Sequence, residues 1–179
     1  MKALKEFAIQ FVGLKEGKHL FEYKINKSFF DFFEYEEFND SNVNVRILLN
    51  KKETLLELNF NASGYLNVNC DLTNESFDQT VSNQFDLVVK FGDEFNNENE
   101  EILILPRGEY ELNVAQYIYE LVVLSVPSKR IHPGVKDGTL DSDILKKLEE
   151  LSPKGFNRDI ENDEIDPRWN TLKKLLTDK

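Results

Sequence analysis

The sequence predicts an α+β fold: mainly an antiparallel sheet or a partly closed β-barrel, followed by C-terminal helices. Three observations carry that expectation. Apolar residues alternate with polar ones through the first two-thirds of the chain. The connectors between the middle runs are short and polar, and beyond Leu105 the apolar spacing changes from two to three or four. Alternation at period two puts one set of side chains on one face of a half-buried sheet. Connectors of four residues suit antiparallel hairpins, because a parallel crossover needs about a dozen residues or more.

Phe7, Ile9 and Phe11 open the series, and Phe21, Tyr23 and Ile25 continue it. Val43 to Leu49, Leu56 to Phe60 and Leu66 to Cys70 form three runs, joined by Asn50–Glu53 and Asn61–Gly64. Phe85, Leu87, Val89 and Phe91 mark a further strand, and Ile102–Leu105 is a short apolar run that reads as another. Between the second and third runs, residues 27–40 hold five of the 14 phenylalanines. Phe29, Phe32, Phe33 and Phe38 are placed there on one face of a short helix that caps an open end of the sheet. The neighbouring acids Glu34, Glu36 and Glu37 count against a base-stacking surface.

Asn113 and Gln116 have the spacing of a capping box, and Val114, Ile118, Leu121 and Val122 follow a helical stripe. A packed helix is therefore expected over 113–126, stopped by Pro127. The expected division is a single β-rich domain over 1–126, which includes this helix, and a loop with a helical tail over 127–179. Residues 128–139 read as a loop. Asp141 caps a second helix reaching Leu151, with Ile144, Leu145, Leu148 and Leu151 facing inward and Pro153 beyond its end. Asp166-Pro167 starts a last short helix with Trp169, Leu172, Leu175 and Leu176 on its apolar face. Trp169, the sole tryptophan, is a candidate anchor, on the body of the protein or on a partner.

Composition narrows the function. With 40% hydrophobic and 31% charged residues in 179, the chain can build the core of one domain. A single cysteine excludes an internal disulfide and a multi-cysteine zinc site, and fits a reducing compartment. No run approaches the roughly 20 apolar residues of a membrane span, and the N-terminal MKALKEFAIQF lacks the apolar stretch of a signal peptide. The expectation is a cytoplasmic protein with no membrane partner. The net charge of −11 lowers the prior for a protein gripping many phosphates.

No phosphate-binding glycine loop, nucleophile elbow or His-Glu-x-x-His motif is present, so no enzymatic activity, cofactor or metal is expected. Cys70 reads as a small core residue. The acidic run from Asp93 to Glu101 reads as a solvated loop, and Asp159, Glu161 and Asp163 fail as a calcium loop because Glu164 stands where glycine is required. The local exception to the acidic charge is Lys129, Arg130, His132 and Lys136, four candidate binding residues in an eight-residue stretch without an acid. Such a loop suits phosphates or an acidic partner, though exposed charges are screened within about 8 Å at physiological salt.

The order of these features resembles the YceD family, whose members are called large ribosomal RNA subunit accumulation proteins. The resemblance rests on a strand ending in Cys70-Asp71, then acidic strands, then YELVVLSVPSKRIHPG, then a terminal DPRWNTLKKL. The family pattern has a strand running into a Cys-Asp-Arg-Cys-Leu-like turn, and a helix ending in a glutamate, leucines, a proline and a histidine. Glu120, Leu121, Leu124, Pro127 and His132 match the second signature, and Asp166 to Leu175 matches the family's closing segment. Leu72 stands where arginine is usual and Thr73 where the second cysteine is usual, so no metal or redox role of a cysteine pair carries over. The resemblance implies a role in making or stabilising large-subunit (23S) ribosomal RNA, with no catalytic residues. The expected protein is a non-enzymatic assembly factor whose partner is a ribosomal protein or a pre-ribosomal particle. An acidic chain steers toward basic ribosomal proteins. The alternative is direct ribosomal RNA contact through residues 129–136.

Overall fold

The computed structural model describes residues 4–140 and 142–152, with residues through Ser142 in one compact unit and the last described helix in a second. A 3₁₀ turn, Lys5–Phe7, leads into β1 (Ala8–Gln10) and β2 (Gly17–Ile25). The short helix α1 (Lys27–Asp31) precedes three long strands, β3 (Asp40–Lys51), β4 (Leu55–Asn69) and β5 (Ser76–Gly92). Short strands β6 (Asn96–Asn99), β7 (Ile102–Pro106) and β8 (Glu111–Asn113) follow, then helices α2 (Ala115–Val123), α3 (Pro133–Lys136) and α4 (Asp143–Leu151).

The main sheet runs β2-β3-β4-β5-β7-β6, and β1 pairs with β8 in a separate two-stranded ribbon. Every neighbour pair is antiparallel except β5 with β7. The chain leaves β5, returns along β6 on the outside, and re-enters as β7 between the two. The α+β expectation and its mainly antiparallel sheet are met. The barrel alternative is corrected: the sheet is open, with β2 and β6 as its edges. Instead of closing, the inner face is covered by helix. Tyr117 of α2 stacks on Phe85 and lies against Phe60, and Asn83 Nδ2 donates to the Leu121 carbonyl at 3.2 Å.

Register explains the core. Ile47 lies opposite Phe60 and Phe60 opposite Phe85, while Leu49, Leu58 and Leu87 form the next row. All but Phe85 are fully buried, and each such side chain contributes roughly 1.5–3 kcal/mol of transfer free energy. The outer face is amide-rich and self-bonded. Asn59 donates to Asp86 at 2.6 Å, Asn67 to Asp78 at 2.8 Å and Asn42 to the Tyr65 hydroxyl at 3.0 Å.

Two local expectations are overturned. Asn61–Gly64 is not a hairpin connector: β4 is continuous through it. Phe60, Ala62, Leu66 and Val68 all sit at even positions and are all buried, so the alternation never changes phase across the supposed turn. Gly64 is required by a close approach. A Cβ there would lie 2.2 Å from the Asn42 carbonyl oxygen and 2.7 Å from Val43 Cα.

The aromatic segment does cap the sheet, but with a different set of rings. Phe29, Phe30 and Phe38 are buried, whereas Phe32 is 51% exposed. Helix α1 spans only five residues, and Lys27 Nζ closes the segment by donating to the Phe38 carbonyl at 2.9 Å. Phe33 stacks on Tyr119 of α2 with ring centroids 4.3 Å apart, which ties this cap to the helix.

Val114, not the expected Asn113, is the N-cap of α2; Asn113 ends β8, and its Oδ1 accepts from the Ala115 N–H at 2.9 Å. Gln116 does not complete a capping box, because its side chain donates to Glu120 at 2.6 Å. The helix tightens at its end through Ser125 to Val122 and Val126 to Val123 backbone bonds, ahead of Pro127. Ile144, Leu148 and Leu151 of α4 are exposed. Asp141 lies outside the described residues, as does the expected tail helix.

Candidate functional site

The turn that joins β4 to β5 meets the loop that follows α2. Cys70 directly follows β4; its N–H donates to the Glu75 carbonyl, and the Asn74 N–H donates to the Cys70 carbonyl, both at 2.8 Å. Asn74 takes φ +59°, a left-handed conformation that asparagine tolerates better than most residues. From the other side, the chain beyond Pro127 passes Asp71 as a loop. The Asp71 N–H donates to the Arg130 carbonyl at 2.8 Å, and the Arg130 N–H donates to Asp71 Oδ2 at 2.6 Å. The guanidinium adds contacts from Nε to Asp71 Oδ1 at 3.4 Å and from Nη1 to Glu37 Oε2 at 3.0 Å. Arg130 thereby ties three segments together: the aromatic cap, the β4–β5 turn and the post-helix loop.

Electrostatics follow from that geometry. The hydrogen bond to Glu37, and the charge of Asp71 behind it, hold the Arg130 guanidinium above its ordinary pKa against the opposing effect of partial burial. Its charge is matched by two carboxylates and is only 26% exposed, so it adds little to the field outside the loop.

Cys70 is buried, as a core residue should be, and its sulfur accepts a hydrogen bond from the post-helix loop. Burial pushes the thiol up. The N–H of His132, the Thr73 side chain and the N–H groups of Leu72 and Thr73 outweigh burial, and the pKa falls below the usual cysteine value. The His132 N–H lies 3.3 Å from Sγ. It is this backbone group that donates, while the ring Nδ1 accepts from the Gly134 N–H at 3.0 Å and caps α3. The imidazole also packs edge-on against Phe77, centroids 5.4 Å apart. His132 is thus a positioning residue for the junction, not a base aimed at the thiol.

Of the residues singled out in the sequence, Arg130 and His132 enter this junction, while Lys129 and Lys136 are exposed beside it. Trp169 lies outside the described residues. Sequence reasoning missed Asp71 and Glu37 as partners of Arg130. A signal was present for Asp71, since Cys70-Asp71 and the histidine-bearing loop are the two signatures of the resemblance.

Residues 58–176 match the model of the family described as large ribosomal RNA subunit accumulation protein YceD. The chain belongs to the YceD family. No curated protein and no solved structure matches it. Both sides of the Cys70–Arg130 junction lie inside the matched YceD span, whereas Glu37, the second carboxylate on Arg130, lies outside it. The family description carries a role in accumulation of the large-subunit ribosomal RNA, and so in ribosome biogenesis. Among the described residues, no helix is long and apolar enough to cross a membrane, and no three His, Cys, Asp or Glu side chains are grouped to hold a metal.

The junction makes a direct prediction. Asp71→Ala removes the acceptor of the Arg130 N–H and one partner of its guanidinium, at a cost of about 1–2 kcal/mol for a partly exposed charged pair. Cys70 in the native protein is expected to react with a thiol-specific reagent at least tenfold more slowly than in denaturant. In Asp71→Ala, native labelling is expected to speed up severalfold as the loop loosens over the sulfur. Unchanged labelling kinetics would mean that the loop is held without Asp71.

Proposed function

We propose that this YceD-family chain is a non-enzymatic cytoplasmic factor that supports synthesis, processing or stability of 23S ribosomal RNA during ribosome assembly. It acts by binding a ribosomal protein or a pre-ribosomal particle. The observation that supports protein contact over RNA contact is the double pairing of Arg130 with Asp71 and Glu37. That pairing removes the most phosphate-adapted side chain from the basic loop. Only Lys129 and Lys136 of the four candidates remain as exposed cations, in a chain of net charge −11.

A second reading, direct RNA contact through residues 129–136, draws on those two lysines, with Trp169 as a further candidate contact. It makes a distinct quantitative demand. Two phosphate contacts give a salt slope of about −1.8, so affinity falls only about tenfold between roughly 50 and 200 mM salt. Such binding is weak unless other groups add to it.

The test is retrieval of the tagged chain from native cells at low salt, with and without ribonuclease, reading protein and RNA. Ribosomal proteins that stay bound after ribonuclease are the expected result, with Lys129→Glu plus Lys136→Glu changing retention less than about threefold. If the double variant abolishes retention and ribonuclease releases every ribosomal protein, the RNA reading replaces this one.

A further inference from the structure

We propose that the groove between α2 and the outer strands of the sheet is the docking site for an extended basic protein segment that carries apolar side chains. The inference gives the partner of the preceding section its chemistry, and rests on that reading for its cellular meaning. The groove encloses about 820 Å³. Its floor is Phe85 of β5 with Leu103 and Leu105 of β7, and α2 forms one wall with Tyr117 and Leu121. Two large apolar side chains stand at its mouth in solvent, Leu124 at 77% exposure and Phe95 at 57%. Isolated exposed apolar residues need no explanation, but two flanking one apolar groove form a surface suited to contact.

The sign of the charge selects the occupant. Glu100, Glu111 and Glu120 line the groove, and no lysine, arginine or histidine does. Three carboxylates without a cation repel a phosphate backbone and attract lysine or arginine side chains. Asn97 and Asn99 line the β6 side and Gln84 the β5 side. Their amides offer both donors and acceptors to the main chain of a bound segment. An apolar floor, an amide margin and an acidic rim fit a peptide that alternates basic and apolar side chains.

The experiment uses the full chain, isotope-labelled, titrated at about 50 mM salt with an amidated nine-residue peptide alternating lysine and leucine. A second peptide has glutamate in place of lysine. Saturable shifts confined to Phe85, Phe95, Tyr117, Leu124 and their neighbours are expected with the lysine peptide only. Leu124→Asp, and Glu100→Lys with Glu111→Lys, are each expected to weaken binding more than tenfold with the spectrum otherwise intact. Shifts centred elsewhere, equal binding of the glutamate peptide, or indifference to both variants would overturn the proposal. Particle retention is read on the same variants. Wild-type retention with a silent groove removes this inference and leaves the assembly reading standing. Mapped, variant-sensitive peptide binding without retention of particles or ribosomal proteins upholds the groove and removes the assembly reading.

Discussion

Phe30→Ala is expected to destabilise the protein by about 4 kcal/mol, near the middle of the range for removing a buried phenylalanine. The ring is fully buried. It meets Phe38 edge-on at 4.9 Å and Phe29 edge-on at 5.4 Å, and it reaches Tyr35 and Tyr119 at 6.3 Å. Truncation forfeits the transfer free energy and those ring contacts together, and leaves a void among the surrounding rings. Phe32→Ala supplies the contrast. That side chain is half exposed, so its loss is expected to fall within about 0.5 kcal/mol. Urea unfolding monitored by circular dichroism checks both. Equal midpoints for the two variants would mean that the cap does not pack on the body in solution.

Gly64→Ala carries the second large effect, and its sign is the informative part. Glycine in a strand interior normally costs about 0.5–1 kcal/mol relative to alanine, so propensity alone predicts stabilisation. Here the new methyl would sit 2.2 Å from a backbone oxygen of β3. A backbone atom in a paired strand cannot rotate away as a side chain can. Overpacking of this kind costs about 1–3 kcal/mol or somewhat more, and the collision outweighs the propensity gain. A net loss of about 2–3 kcal/mol is expected, with faster amide exchange at Asn42–Asn44. Ser63→Ala, one residue away on the exposed face, is expected to be near neutral. A stabilised Gly64→Ala would show that β3 and β4 are further apart than described.

The strands were legible wherever one face is wholly apolar. Val43 to Leu49 and Phe85 to Phe91 lie in strands with the phase their alternation predicts. The failure at Asn61–Gly64 came from weighing residue type over phase: asparagine, serine and glycine favour turns, yet the buried positions on either side keep one parity. In the aromatic segment a five-residue helix is too short for a 3.6-residue period to separate Phe30 from Phe32. The junction of Cys70-Asp71 with Arg130 and His132 was the least legible part. Its two halves lie about 60 residues apart, and most of its bonds involve backbone groups. No pattern of side-chain types announces a backbone N–H. The family resemblance marks both segments without implying that they touch.

The ribbon of β1 and β8 has a consequence for synthesis. Ile9 pairs with Leu112, and the Phe7 carbonyl accepts from the Val114 N–H, so the first strand waits for a partner roughly a hundred residues later. At about 5–20 residues per second that delay is on the order of 5–20 s. The meander of β2 through β5 pairs only neighbours in sequence and can zip as it emerges. Until β8 is made, the backbone groups of β1 have no strand to pair with, and that unpaired edge stays open to a nascent-chain chaperone for the whole interval.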